Sequence, residues 1–278
     1  MKFADLHLHT HFSDGTFSPE ELSLRAREAG LSTVALTDHD TLDGCPRMRE
    51  ACAKEGLEFV PGTELTADTA GQEVHVLGYW IDENSPALQS ELARFQKVRH
   101  TRIEEMVARL NACGVPLRAE TVFEIARCNS PGRPHLARAL VEGGYANDFD
   151  HAFDRFLKKG RAAWVPKARM KAADAIRLIH DAGGAAVLAH PGLYRNDGII
   201  PRLAAEGLDG VECWHTKHSG EASANYVRIA TSLNLATTGG SDCHGMAKGQ
   251  PLVGTVRIPT AHVEAIHARR PSRLPAAP

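Results

Sequence analysis

Apolar residues recur along this chain with two periods, and the two alternate. Short runs rich in Val, Leu, Ala and Thr lie at residues 3–8, 33–37, 58–63, 73–79, 185–189, 210–214 and 235–238. Their length and composition predict strands. Helical periodicity fills most of the gaps. Ser18-Pro19-Glu20-Glu21 opens one helix: Ser caps, Pro fits the first turn, and the acids sit near the positive end. Gly30 is placed to stop it. Residues 170–182 form a second amphipathic helix, closed by Gly183-Gly184 ahead of an apolar strand. Strands alternating with helices predict an α/β fold with a parallel sheet. Seven strands suit a closed or nearly closed barrel; an open, doubly wound sheet is the rival.

Residues 85–165 break the alternation. Ser85-Pro86 starts a long helix reaching Ala112 and ended by Gly114. Residues 119–127, 134–142 and 148–158 read as shorter helices, and no run there reads as a strand. The expected organisation is a barrel in two parts, 1–84 and 166–260, an all-helical insertion (cap) at 85–165, and a helix or tail at 261–278. Residues 269–278 are rich in Pro and Ala and read as disordered. Charge follows the same division. Residues 91–171 hold 16 Lys and Arg against 9 Asp and Glu, whereas the whole chain holds 32 against 34. A basic cap over an acidic, cation-binding body suits an anionic substrate; a solvated helical face with spare Arg is the plainer reading.

No segment approaches the roughly 20 apolar residues that cross a bilayer. The chain enters its first strand at once, so no secretory signal is visible. Six Cys form no CxxC pair and read as reduced thiols. Together these point to a cytoplasmic protein with no membrane association and no obligate protein partner.

The chemistry lies where the strand-like runs end. His7 and His9 share a face of the first, because alternate residues of a strand point the same way. Asp38-His39-Asp40 follows the second and Glu64 the third. His75 lies on the fourth, His190 follows the fifth, and His215 the sixth. Ser241-Asp242-Cys243-His244 follows the seventh, and Asp14 trails the first. In a parallel barrel these ends face one mouth, where catalytic groups collect. A single buried His is usually a satisfied core residue, but ligands at this many strand ends form a pattern. Imidazole with carboxylate and little thiolate suits Mn²⁺, Zn²⁺ or Fe²⁺ rather than an all-oxygen Mg²⁺ or Ca²⁺ cage. Mn²⁺ is the expected ion, with Zn²⁺ or Fe²⁺ as alternatives. Asp38 either orients a ligand His or caps its turn. No GxGxxG, Walker or GxSxG pattern follows a strand appropriately, and Ser241 reads as a turn residue.

The pieces His7-x-His9, Thr37-Asp38-His39-Asp40, Gly62-Thr63-Glu64, Ala189-His190-Pro191 and Gly240-Ser241-Asp242-x-His244 resemble, in order, the motifs of the PHP (polymerase and histidinol phosphatase) family. The resemblance runs from residue 3 to about residue 250, outside the insertion. It implies a distorted (β/α)7 barrel and a phosphoesterase site of two or three metals. His7, His9, Glu64 and Asp242 would hold the first ion. Glu64, His75 and His190 would hold the second, with Glu64 bridging. Asp14, His39 and His244 match third-metal positions, where trinuclear members often have His in place of Asp14. These three are therefore either ligands of a third ion or catalytic groups on the substrate phosphate.

The insertion resembles a subgroup that includes nucleoside 3′,5′-bisphosphate phosphatase and 5′→3′ exoribonucleases of short oligonucleotides. The expected reaction is removal of the 3′-phosphate from a nucleoside 3′,5′-bisphosphate. A short-oligonucleotide exonuclease, a histidinol-phosphate phosphatase and, more remotely, an amidohydrolase are the alternatives. Within the insertion, Arg133, Pro134 and His135 lie in a loop opening a helix, a natural phosphate grip; a solvated linker is the other reading. Thr101 and Arg102 are further substrate-binding candidates. Lys167, Arg169, Arg195, Lys217 and His218 are weaker ones.

Overall fold

The computed structural model describes residues 2–247 and 249–271. In chain order these are β1 (Phe3–Asp5), α1 (Pro19–Glu28), β2 (Thr33–Leu36), α2 (Cys45–Glu55), β3 (Glu58–Thr69), β4 (Gln72–Tyr79), α3 (Pro86–Ala112), α4 (Ala119–Ala126), α5 (Arg133–Glu142) and α6 (Phe149–Ala152). A π-turn (Phe153–Leu157) follows. Next come β5 (Met170–Lys171), α7 (Ala172–Asp181), β6 (Ala185–Leu188), α8 (Ile199–Ala205), β7 (Gly210–His215), α9 (Gly220–Ser232), β8 (Ala236–Gly240), β9 (Ile258–Pro259) and α10 (Thr260–His267).

The sheet runs β8-β7-β6-β4-β3-β2-β1-β9. Its ends nearly meet: the Leu6 N–H donates to Gly239 O at 3.2 Å, and the His9 N–H to Cys243 O at 3.0 Å. The result is a nearly closed barrel, as expected from seven principal strands. The strands are not all parallel. β4 runs against both β3 and β6. The cause is a tight β3–β4 hairpin at Ala70-Gly71, both at positive φ (53° and 81°). β3 is also twice the expected length, so Glu64 lies mid-strand. His75 reaches the site from the first half of β4. β1 ends at Asp5, and His7 and His9 lie on the extended chain beyond it. β5 and β9, two residues each, match no apolar run in the sequence. The amphipathic helix begins at Ala172 rather than residue 170, and residues 148–158 split between α6 and the π-turn.

The α1 cap formed as expected: Ser18 Oγ accepts from the Glu21 N–H, and Glu21 Oε2 from the Ser18 N–H. From Trp80 to Arg169 the described backbone holds helices and no strand. α3 serves two cores. Its first half (Leu88, Leu92, Phe95) packs with the barrel helices. Its second half (Ile103, Met106, Leu110) packs with Val122, Leu136, Leu140 and Leu157. Arg99 lies at the changeover. The expected tail largely falls at 272–278, outside the described residues. Among the described residues no helix is long and apolar enough to cross a membrane, and all six cysteines are free.

Candidate active site

Glu64 is the hub. One oxygen, Oε1, lies 2.6 Å from His75 Nδ1 and 3.0 Å from His190 Nε2. The other, Oε2, lies 3.3 Å from both His7 Nε2 and His9 Nε2 and 3.1 Å from His39 Nδ1. Asp242 Oδ1 adds a second carboxylate, 3.5 Å from His7 Nε2 and 3.3 Å from His9 Nε2. Asp14 Oδ1 is 3.2 Å from His244 Nε2. All nine sequence-derived candidates therefore share one cluster. Ligand-capable atoms converge in overlapping sets: His7–His9–Asp242, His7–Glu64–His190, His39–Glu64–His75 and His9–Asp14–His39–His244.

The donor set fits divalent metal. His9 Nε2 and His39 Nδ1, both buried, make no hydrogen bond although carboxylate oxygens lie 3.3 and 3.1 Å away. Buried polar atoms left unsatisfied need an explanation, and a cation between nitrogen and oxygen supplies one. The two carboxylates are held ionised. Burial alone would raise the Glu64 carboxyl, but His39, His75 and His7 hold it well below its usual range. Burial likewise opposes ionisation of Asp242, and His244 and His7 overcome it. Burial, helped by His244, pushes His9 down to about 4. Burial opposes the charged form of His7 and His75, yet Glu212 beside the first and Glu64 beside the second raise both above the ordinary value, so these rings carry protons that a binding ion would displace.

Three non-glycine residues here take the left-handed region: His190 (φ 28°), Asp40 (φ 49°) and Asp242 (φ 53°). Strain of this kind persists only where its surroundings impose it. Gly240 shows how tightly the wall is built, since a Cβ there would overlap Cβ and N of His7.

A cavity of about 270 Å³ opens on the cluster, lined by Asp14, His39, Glu64, His75, His190, Asp242 and His244 on one side. Pro134, Phe149, Phe153, Leu193 and Ala247 form the other. Of the substrate candidates, only Pro134 lines it. Arg133 lies with its guanidinium 5.6 Å from the centre of the Phe153 ring. Arg102 is buried, donating to Val165 O at 3.1 Å. Thr101 is exposed. His135 is buried, and its Nδ1 accepts the Gly132 N–H, so it braces the loop. Lys167 Nζ is 3.5 Å from His75 Nε2, and Arg169 pairs with Asp68 at 2.8 Å. Arg195 and Lys217 are exposed. His218 accepts the Gly192 N–H and donates to Cys213 O. Asp38 accepts from the Thr10 N–H, Thr10 Oγ1 and Ser13 Oγ, which makes it a loop brace. Ser241 donates its N–H to Asp5.

Sequence reasoning missed Glu212, wholly buried on β7 and 2.9 Å from His7 Nδ1. It also missed the Asp40–Arg99 pair, with Arg99 Nε and Nη2 at 2.9 and 2.5 Å from Asp40 Oδ2. A carboxylate inside an apolar strand was the available signal for Glu212. For Arg99, one polar position on a basic helix, there was none.

A family model for the PHP domain matches residues 5–98. The chain is 34% identical over 264 residues to the 3′,5′-nucleoside bisphosphate phosphatase of Chromobacterium violaceum, covering 91% of each. It is also 34% identical over 247 residues to the 5′-3′ exoribonuclease Rnm of Salmonella typhimurium, covering 86% of this chain and 84% of the relative. The crystal structure of a candidate metal-dependent phosphoesterase from Bifidobacterium adolescentis superposes with a TM-score of 0.89, at 34% identity and 97% of both chains.

Proposed function

The chain belongs to the PHP family as a metal-dependent phosphoesterase, and from that premise we propose that it removes the 3′-phosphate from a nucleoside 3′,5′-bisphosphate, giving the 5′-monophosphate and phosphate. The size and lining of the cavity carry this reading. About 270 Å³ lies just below the usual range of ligand pockets, roughly 300 to 1,000 Å³, and so admits no more than one nucleotide. Its metal-capable wall suits a phosphoryl group, and Phe149 and Phe153 suit a base. Behind Phe153 the cationic side chains crowd together: burial, then Arg133 and Arg99, push Arg102 down to about 10. That crowding favours a second phosphate near Arg133.

His7, His9, Glu64 and Asp242 would hold one ion and Glu64, His75 and His190 another. Mn²⁺ is the ion we assign, with Zn²⁺ or Fe²⁺ able to substitute. Bound there, the ions supply Lewis acidity toward the phosphoryl oxygens and the attacking water. Asp14, His39 and His244 line the same cavity and are positioned either as ligands of a third ion or as catalytic groups. His244 Nδ1–H donates to Asp242 O, leaving Nε2 and Asp14 Oδ1 to hold a proton within reach of the leaving oxygen. The free thiols support a cytoplasmic working place.

A second reading, stepwise release of mononucleotides from short oligonucleotides, is favoured by one feature. Past Phe149, Phe153 and Ala247 lies a cleft of about 620 Å³ reaching Lys158 and Lys217. The test is phosphate release by Mn²⁺-loaded protein on adenosine 3′,5′-bisphosphate, AMP, a trinucleotide and histidinol phosphate, with His7→Ala as control. Selective turnover of the bisphosphate, lost in the control, is expected. Preference for the trinucleotide would replace the reaction, and inactivity on all four would overturn it. Arg133→Ala should raise KM for the bisphosphate about 10–100-fold, the worth of a charge-assisted contact, and leave a simple monoester nearly unchanged.

A further inference from the structure

Glu212 sits in β7 with no exposure to solvent, and its two oxygens serve two different segments. Oε1 accepts from His7 Nδ1 at 2.9 Å. Oε2 accepts the His190 backbone N–H at 2.7 Å. The first bond places the His7 proton on Nδ1, because an ionised carboxylate only accepts. Nε2 is then the nitrogen that can give up its proton to a metal ion, and it faces Glu64 Oε2 at 3.3 Å and Asp242 Oδ1 at 3.5 Å. The second bond anchors a residue in a costly backbone conformation, φ 28° and ψ 58°. That same residue presents Nε2 to Glu64 Oε1 at 3.0 Å.

We infer that Glu212 is a positioning residue that presets two metal ligands at once, fixing the tautomer of His7 and clamping the backbone that aims His190. Both oxygens are sealed from bulk solvent, so the setting exists before metal arrives. It links the first strand's extension to the turn after β6 through one side chain on β7. The inference rests on the metal reading of the site, and the test separates the two.

Glu212→Gln keeps the shape. Its amide oxygen can still accept the His190 N–H, but its NH₂ then faces His7 Nδ1. That favours the tautomer with the proton on Nε2, the nitrogen that points at Glu64 and Asp242. Mn²⁺ affinity, measured by competition with a chelating dye, should fall about 10–100-fold, as when the outer hydrogen-bond partner of a ligand is lost. The unfolding midpoint of the metal-free protein should hardly move. Wild-type protein that binds no divalent metal would overturn the metal reading. Wild-type and variant proteins binding equally would overturn this inference alone. Nitrogen NMR of metal-free wild-type protein labelled at histidine tests the tautomer directly, even if the variant does not fold. A proton retained on His7 Nδ1 as the ring loses its second proton supports the role, and a proton retained on Nε2 instead refutes it.

Discussion

Arg99→Ala should cost about 4 kcal/mol of stability. Asp40 is wholly buried and accepts four hydrogen bonds: from the Thr66 N–H at 2.9 Å, from Thr66 Oγ1 at 3.2 Å, and from Arg99 Nε and Nη2 at 2.9 and 2.5 Å. Truncating Arg99 removes the two charged donors and leaves a carboxylate in the interior with two neutral ones. Removing one partner of a buried pair costs about 3–5 kcal/mol, a large share of the roughly 5–15 kcal/mol that holds a domain folded. The Arg99 side chain is 9% exposed and that of Asp40 1%, so salt should screen little of it. Urea unfolding followed by circular dichroism, at low and high salt, measures both quantities. The pH dependence has a definite sign. Burial would raise the Asp40 carboxyl, but Arg99, then Lys167, hold it below its usual value. The pair's contribution is therefore full above about pH 4 and fades as pH falls through the lower folded value. The double variant Asp40→Leu/Arg99→Met should lose far less than the two single truncations together, because no charge is stranded. A single-variant loss under about 1 kcal/mol, or one abolished by salt, would show a solvated pair and refute the argument.

Two further outcomes follow from burial and contact. His135 is 3% exposed, and burial pushes it down to about 4. The unfolded chain then takes up a proton near pH 6.5 that the fold refuses. Stability should fall by about 1.4 kcal/mol per pH unit below 6.5, roughly 3 kcal/mol in all by pH 4. His135→Asn should flatten that slope relative to wild type, and identical slopes would mean a hydrated imidazole. Gly240→Ala should lower both Mn²⁺ content and melting temperature, since its methyl would overlap Cβ and N of His7. An overpacked core position costs about 1–3 kcal/mol, and a variant with unchanged metal content would show that His7 can shift freely.

The nine clustered residues were legible because each belongs to a residue type rarely buried without reason, and each followed or interrupted an apolar run. The α1 cap was legible because Ser, Pro and Glu act locally. The direction of β4 was not. Its turn uses Ala70 at positive φ, where sequence rules look for Asn, Asp or Gly. Only the paired strands hold Ala70 there. Glu212 was hidden for a related reason. In isolation, a Glu in Gly210–His215 looks like the polar side of an alternating strand. Register against β6 turns it inward, toward the His190 N–H. Arg102 read as an accessible helix residue and is buried, because the backbone at Val165 folds over α3 and accepts its guanidinium.

Long-range placements of this kind carry much of the site's chemistry. A regular parallel barrel would send His75 away from Glu64. The reversed β4 instead pairs His75 with Thr66, two residues from Glu64 on the neighbouring strand. Strained turns at His190 and Asp242 aim ligands that straight strands would point elsewhere. Those turns need anchors, and the His190 anchor is a carboxylate sealed from water. Burial of so many polar groups opposes folding unless each is paired. The partnerless nitrogens of His9 and His39 mark where pairing within the chain ends, and a divalent ion there would complete it. Metal affinity and fold stability should therefore rise together: any substitution that loosens an anchor without breaking the barrel should weaken metal binding before it unfolds the chain.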